Sequence, residues 1–315
     1  HLLDEGFGAA KTEPVMSPGS IDGYIDSVVE SIEGRGFSGM RVVLDCANGA
    51  ASATAARVFG RLDADAVTVA DTPDGRNIND GVGSNHPEHV AAVVAKERVS
   101  VGFAFDGDAD RVVGCGFDGS IIDGDQILAM AAIDRHDHGD LPQDTLVTTV
   151  MANLGLRVAM RDAGITIVET PVGDRNVLEA LDRGGFALGG EQSGHIIYRD
   201  LATTGDGVLT AVQLLDASVR RGVELGDWAA SVMTRYPQVL HNVPVDRRME
   251  HLDARLDEAV TAERAALGAD GRILIRPSGT EPLVRVMVEA ADVDTAEATA
   301  MRLGRVVEAL TSEAP

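Results

Sequence analysis

Apolar and polar positions fall in blocks whose period changes at regular intervals along the chain. From Arg41, RVVLD is short, β-branched and unbroken, as a buried strand requires; CANGA interrupts it, ASATAARVFG restores helical spacing, and DAVTVA returns to a strand. The order then repeats as TLVTTV, MANLG, LRVAMRDAG and ITIVET. In both copies Ala-Asn, followed closely by glycine (Asn48 and Gly49; Asn153 and Gly155), separates the strand from its helix. We read a duplicated unit of short parallel strands and crossover helices. The competing reading is that any two strand-helix-strand units share this grammar.

The first unit continues through HPEHVAAVVAKE, a helix opened by Pro87, into the strand VGFAF. RVVGCGF, a turn at DGS and a helix over DGDQILAMAAI follow. The second unit continues through a helix VGDRNVLEALDRG, the strand FALGG, the loop EQSGH and the helix GVLTAVQLLDASVRRG. From about Gln238 the pattern changes: a helix over RRMEHLDARLDEAVTAERAAL, strands GRILIRP and PLVRVMVEA about a tight turn, and a closing helix VDTAEATAMRLGRVVEAL. This predicts an α/β protein: two similar α/β domains with mixed, largely parallel sheets at 38–139 and 140–238, then an α+β domain with an antiparallel sheet at 239–315. Residues 1–37 read as a linker and helix from a preceding domain.

Composition narrows the partners. At 315 residues, 44% apolar and 24% charged, the chain is ordinary for a globular protein, and it lacks the run of about 20 apolar residues that a bilayer helix needs. Fifty acidic against 27 basic residues, net −23, repel nucleic acid and anionic lipid, so any phosphate site must be local. Lys11 and Lys96 are the only lysines; the remaining basic residues are arginines. Cys46 and Cys115 lie in strand-like runs and read as reduced core thiols of a cytoplasmic protein.

Four loops carry candidate chemistry. FAFDGDADRVV places Asp106, Asp108 and Asp110 at the end of a buried strand, closed by Arg111. Three converging carboxylates repel unless a cation compensates them, so a hard divalent metal is expected, with Arg111 meeting a phosphate from the side. An EF-hand does not fit, because Arg111 stands where glycine is needed and a strand precedes the loop. RPSGTEPLVRV offers Arg276, Ser278, Gly279, Thr280 and Arg285 as an anion nest, with an ordinary hairpin turn as the alternative. GGEQSGHIIY sets Glu191, Ser193 and His195 at alternate positions, and alternation would send all three to one face, toward sugar hydroxyls or an amine. Asp174 and Arg175 in PVGDRNV lie at a helix start, where an N-cap explains Asp174 as well as an anion site does.

In order, FDGDADR, VGDR, GEQSGH and RPSGTEPLVRV resemble the metal loop, the domain 3 loops and the phosphate loop of the α-D-phosphohexomutase superfamily. GEQSGH, VGDRNVLE, TTGDG and DCANGA look most like its bacterial phosphoglucosamine mutase branch; the phosphomannomutase and phosphoglucomutase branches share the other loops. The resemblance implies phosphoglucomutase-type domains 2 and 3 and a TATA-box-binding-protein-like domain 4. It implies an isomerase that moves phosphate between the 6- and 1-positions of a hexosamine through a phosphoserine and a bisphosphate, in cell-wall precursor synthesis. It further implies Mg2+ on Asp106, Asp108 and Asp110, Arg111 at the transferred group, Glu191, Ser193 and His195 at the sugar, and Arg276, Ser278, Gly279, Thr280 and Arg285 on the other phosphate. Partners would be small-molecule sugar phosphates, with a homodimer left open. The family's serine loop is nowhere in these residues, so the chain is expected to correspond to domains 2 to 4 and not to complete a cycle alone. A non-catalytic sugar-phosphate binder is the alternative from another class.

Overall fold

The computed structural model describes residues 18–245, 254–278 and 281–312. Helix α1 (Pro18–Glu30) leads into the first unit: β1 (Arg41–Asp45), α2 (Ala55–Arg61), β2 (Asp65–Val69), α3 (Pro87–Glu97), β3 (Val101–Phe105), β4 (Val112–Gly116) and β5 (Ile121–Ile122). Helix α4 (Gly124–His138) leads to the second: β6 (Thr145–Thr149), α5 (Leu154–Asp162), β7 (Thr166–Thr170), α6 (Asp174–Gly184), β8 (Leu188–Gly190) and β9 (Ile196–Tyr198). Helices α7 (Gly207–Arg221) and α8 (Leu225–Val232) follow. The C-terminal part comprises β10 (Gln238–Pro244), α9 (Ala254–Leu267), β11 (Arg272–Pro277), β12 (Leu283–Glu289) and α10 (Val293–Ser312).

The sheet orders are β2-β1-β3-β4-β5 and β7-β6-β8-β9. In each, three parallel strands are followed by an antiparallel return strand. The duplicated unit is therefore one topology used twice. Two loops become equivalent: Asp106–Arg111 joins the third and fourth strands of one sheet, and Glu191–His195 joins those of the other.

Strand burial follows from the two-sided packing. Successive side chains point to opposite faces, so Val42 and Leu44 enter the largest core cluster while Val43 packs with Val90 and Val94 of α3. Val147 likewise packs with Val177 and Leu181 of α6. The largest cluster runs from α1 through both units to α8, and the C-terminal part has a core of its own. Helix α4 begins with a capping box, Asp123 accepting from the Gln126 amide while Gln126 reaches back to the Asp123 amide. Helix α8 and strand β10 were not anticipated, since LGDWAASV is too short to show a period and QVLHNVP carries a terminal proline.

The C-terminal sheet, β10-β12-β11, is antiparallel throughout. Its odd β10 positions, Val239 and Val243, face the helices. The opposite face carries three registered rows: Gln238, Glu289 and Arg272; Leu240, Met287 and Leu274; Asn242, Arg285 and Arg276.

Candidate active site

Asp106, Asp108 and Asp110 converge, their ligand oxygens lying within 4.8 Å of one another. The turn that brings them together needs Ala109 at φ 60°, a left-handed conformation uncommon outside glycine. Asp106 is fully buried and already gripped by Arg111, whose amide donates to Oδ1 at 3.1 Å and whose Nε and Nη2 approach Oδ2 at 2.8 and 2.7 Å. Asp108 is pushed above the usual carboxylate range, first by its hydrogen bond with Asp106, then by partial burial and the Asp106 charge. Oδ1 of Asp110 is buried without a hydrogen-bond partner. An all-carboxylate set in which that oxygen has only Arg111 Nε nearby, at 3.6 Å and beyond hydrogen-bond reach, fits a hard cation such as Mg2+.

The sugar-loop candidates separate. Residues 191–194 form a tight turn, Gly194 N donating to Glu191 O at 3.0 Å with Gly194 at φ 91°, so the predicted strand-like alternation fails. Ser193 is exposed, Glu191 is half-buried and accepts from Gly173 N at 2.9 Å, and His195 turns inward, 3% exposed. His195 does not share a face with Ser193; its Nδ1 lies 3.1 Å from Asp110 Oδ2, and its buried Nε2 has no partner. A bridge pairs Arg111 with His195, and Val112 N donates to Gly194 O at 3.1 Å, so the two equivalent loops are bonded directly. Asp174 and Arg175 open α6 behind Gly173; Gly173 is the N-cap, Asp174 Oδ1 accepts from the Arg175 amide at 2.7 Å, and exposed Arg175 pairs with Glu179.

Arg276 and Arg285 are direct cross-strand partners on the face of the C-terminal sheet opposite its helices. Like charges opposite one another are unfavourable unless an anion sits between them. Ser278 is buried beside them; its N donates to Leu283 O at 2.8 Å and its Oγ accepts from Glu281 N at 3.3 Å, while Arg285 reaches Glu281 at 3.4 Å. The bonds described for these residues stay within the hairpin. Gly279 and Thr280 lie outside the described residues.

A second set of charges, not anticipated from sequence, joins the C-terminal sheet to the second unit. Arg272 donates to the carbonyls of Val150 and Ala152, and fully buried Glu289 accepts from Leu154 N at 3.2 Å while pairing with Arg272 at 3.3 Å. Fully buried Asp125 accepts from Asn153 N at 2.9 Å at the same helix start. Burial lowers the Arg157 guanidinium nearby to about 10, helped by the charge of Arg272. A lone acid in the first turn of a helix, as Asp125, or at the end of a strand, as Glu289, carries no mark of its burial in the local sequence.

Three family models match in order: phosphoglucomutase/phosphomannomutase alpha/beta/alpha domain II over residues 22–116, alpha/beta/alpha domain III over 123–236 and the C-terminal domain over 240–305. Phosphoglucosamine mutase of Saccharopolyspora erythraea is 47% identical over 309 residues, 98% of this chain and 69% of that protein. The chain belongs to the phosphoglucomutase/phosphomannomutase family. The phosphoglucosamine mutase of Thermobifida fusca is 52% identical over 289 residues, 91% of this chain, which spans 64% of that relative's length. Among solved family structures, a Burkholderia thailandensis phosphoglucomutase/phosphomannomutase family protein superposes with TM-score 0.76 at 24% identity, covering 94% of this chain and 65% of that one. Aspergillus fumigatus N-acetylphosphoglucosamine mutase, solved with GlcNAc-6P and magnesium, gives 0.71 at 22% identity, covering 91% and 68%. Both show the shared fold. No helix among the described residues is long and apolar enough to cross a membrane.

Proposed function

We propose that the protein works as a phosphohexomutase on glucosamine phosphates, interconverting the 6- and 1-phosphates through a bisphosphate, as a cytoplasmic source of cell-wall precursor. The observation that carries this reading is the direct bonding of the carboxylate loop to the GEQSGH turn, which brings three converging carboxylates beside an exposed polar turn. The names of the 47–52% identical relatives support the choice of hexosamine.

Asp106, Asp108 and Asp110 would hold Mg2+, which when bound supplies positive charge against phosphoryl oxygens. Arg111 holds Asp106 and adds a fixed cation at the same loop. His195 orients Asp110 from beneath rather than touching the sugar, and Glu191 and Ser193 are left to meet hydroxyls or the amine. Arg276 and Arg285, with Ser278, fix the phosphate that does not react. Gly279 and Thr280, which the sequence places in the same nest, belong to the same proposal. Phosphoryl transfer needs little else from a protein beyond positioning and charge neutralisation.

Protein expressed from the complete gene should convert glucosamine 6-phosphate in the presence of Mg2+, and Asp108→Asn should reduce turnover at least 100-fold while leaving the circular dichroism unchanged. Conversion of mannose or glucose phosphates alone would move the protein to a sister branch. Sugar-phosphate binding without any turnover would make it a binder.

A further inference from the structure

Behind the carboxylate loop lies a further buried carboxylate, Asp45, outside the cluster of Asp106, Asp108 and Asp110. Asp45 ends β1, is completely buried, and sits in register beside Ala104 of β3. Its Oδ1 accepts from Ala47 N at 3.0 Å; its Oδ2 accepts from Gly83 N at 3.0 Å and lies 2.7 Å from Nδ1 of His89 on α3. One buried group thus ties the turn after β1 to the segments at Gly83 and His89, 38 and 44 positions away.

Two of those segments grip the backbone of the carboxylate loop. In the turn after Asp45, Ala47 and Asn48 are both left-handed, at φ 52° and 49°, a conformation costing roughly 1–2 kcal/mol per ordinary residue. That turn delivers Ala50 N to Gly107 O at 2.9 Å. From the other side, Ser84 N donates to Phe105 O at 2.7 Å. The approach leaves no room for side chains: a Cβ on Gly49 would meet Gly107 O at 2.2 Å, and one on Gly83 would meet Phe105 O at 2.4 Å. The residues on either side of Asp106 are therefore held by two segments that both hang on Asp45.

We propose that Asp45 is a positioning residue for the candidate metal site, with His89 as its lock: it sets the backbone of residues 105–107 so that the three carboxylates converge. This rests on reading Asp106, Asp108 and Asp110 as a divalent-cation site. Asp45 itself touches neither the cation nor a substrate. Groups that hydrogen-bond metal ligands directly change metal affinity by about 10–100-fold when removed; Asp45 acts on the backbone that carries the ligands, and the low end of that range is expected.

Asp45→Asn is the direct test, because it preserves shape and the acceptor toward Ala47 while turning an N–H donor toward Gly83 and His89. On the full chain, Mn2+ binding followed by electron paramagnetic resonance should weaken at least tenfold. The Ser84 and Ala50 amides should exchange with deuterium at least tenfold faster, while amides of β6 and β8 keep their rates. A folded variant that binds Mn2+ within twofold of the parent overturns the proposal. Should Asp45→Asn not fold, His89→Ala removes a single partner at the half-exposed end: about threefold weaker binding, restored by His89→Gln, supports the lock, and unchanged binding refutes it. A parent chain with no Mn2+ binding that Asp108→Asn abolishes sinks the metal reading and this proposal with it. A parent that binds, with Asp45→Asn binding equally well, sinks this proposal alone.

Discussion

Asp125 makes the stability of this protein depend on pH in the direction opposite to a salt-bridged carboxylate. It stands in the first turn of α4, fully buried, one oxygen accepting from Asn153 N and the other without a partner. Burial is the largest effect and raises its carboxyl from 3.8 to about 7; the Asn153 amide opposes this, and Asp123 and Glu289 add to it. In the folded state it keeps its proton where the unfolded chain has lost it. Stability from this group is fully present below about pH 4 and is lost as pH rises through about 7. At 1.36 kcal/mol per pH unit, the loss between those limits is about 4 kcal/mol. Asp125→Asn removes the titration while keeping an acceptor for Asn153. The assay is urea unfolding followed by fluorescence of Trp228, the single tryptophan, in α8, which packs against α4 and whose Ala229 carbonyl accepts from Gln126. The parent should lose stability relative to the variant by about 4 kcal/mol from pH 4 to pH 8. Parallel curves for the two proteins would refute the argument, since they would mean that Asp125 holds no proton of its own.

Two further outcomes follow from the C-terminal sheet. Arg276→Gln relieves a direct like-charge pair with Arg285, so the ligand-free protein should gain up to about 0.5 kcal/mol, while inorganic phosphate binding measured by calorimetry falls about tenfold. Arg272→Met strips the partner from fully buried Glu289 and leaves the Val150 and Ala152 carbonyls unmet; a loss of about 3 kcal/mol in chemical unfolding is expected, and a loss under 1 kcal/mol would mean the ion pair contributes little.

Much of the architecture is legible in local sequence. VGFAF is the strand β3, Pro87 opens α3, and the Ala-Asn turns mark strand-to-helix transitions in both units, because local propensity and hydrophobic period act over a few residues and are written in those residues. The convergence of Asp106, Asp108 and Asp110 was readable for the same reason, being contained in five consecutive positions. The common face expected of Glu191, Ser193 and His195 presumes an extended strand, and the turn at Gly194 breaks it.

What required the folded chain was every relation set by packing between distant segments. Nothing near Asp45 in sequence announces Gly83 or His89, 38 and 44 positions away, and nothing near Asp125 announces Glu289. The pairing of Arg276 with Arg285 is a matter of register, and the inward turn of His195 toward Asp110 depends on two equivalent loops meeting. Residue type and period decide which segments become strands and helices; burial, register and desolvation arise only when those segments close on one another, and they decide which carboxylates can hold a cation, which keep a proton and which hold a loop in place.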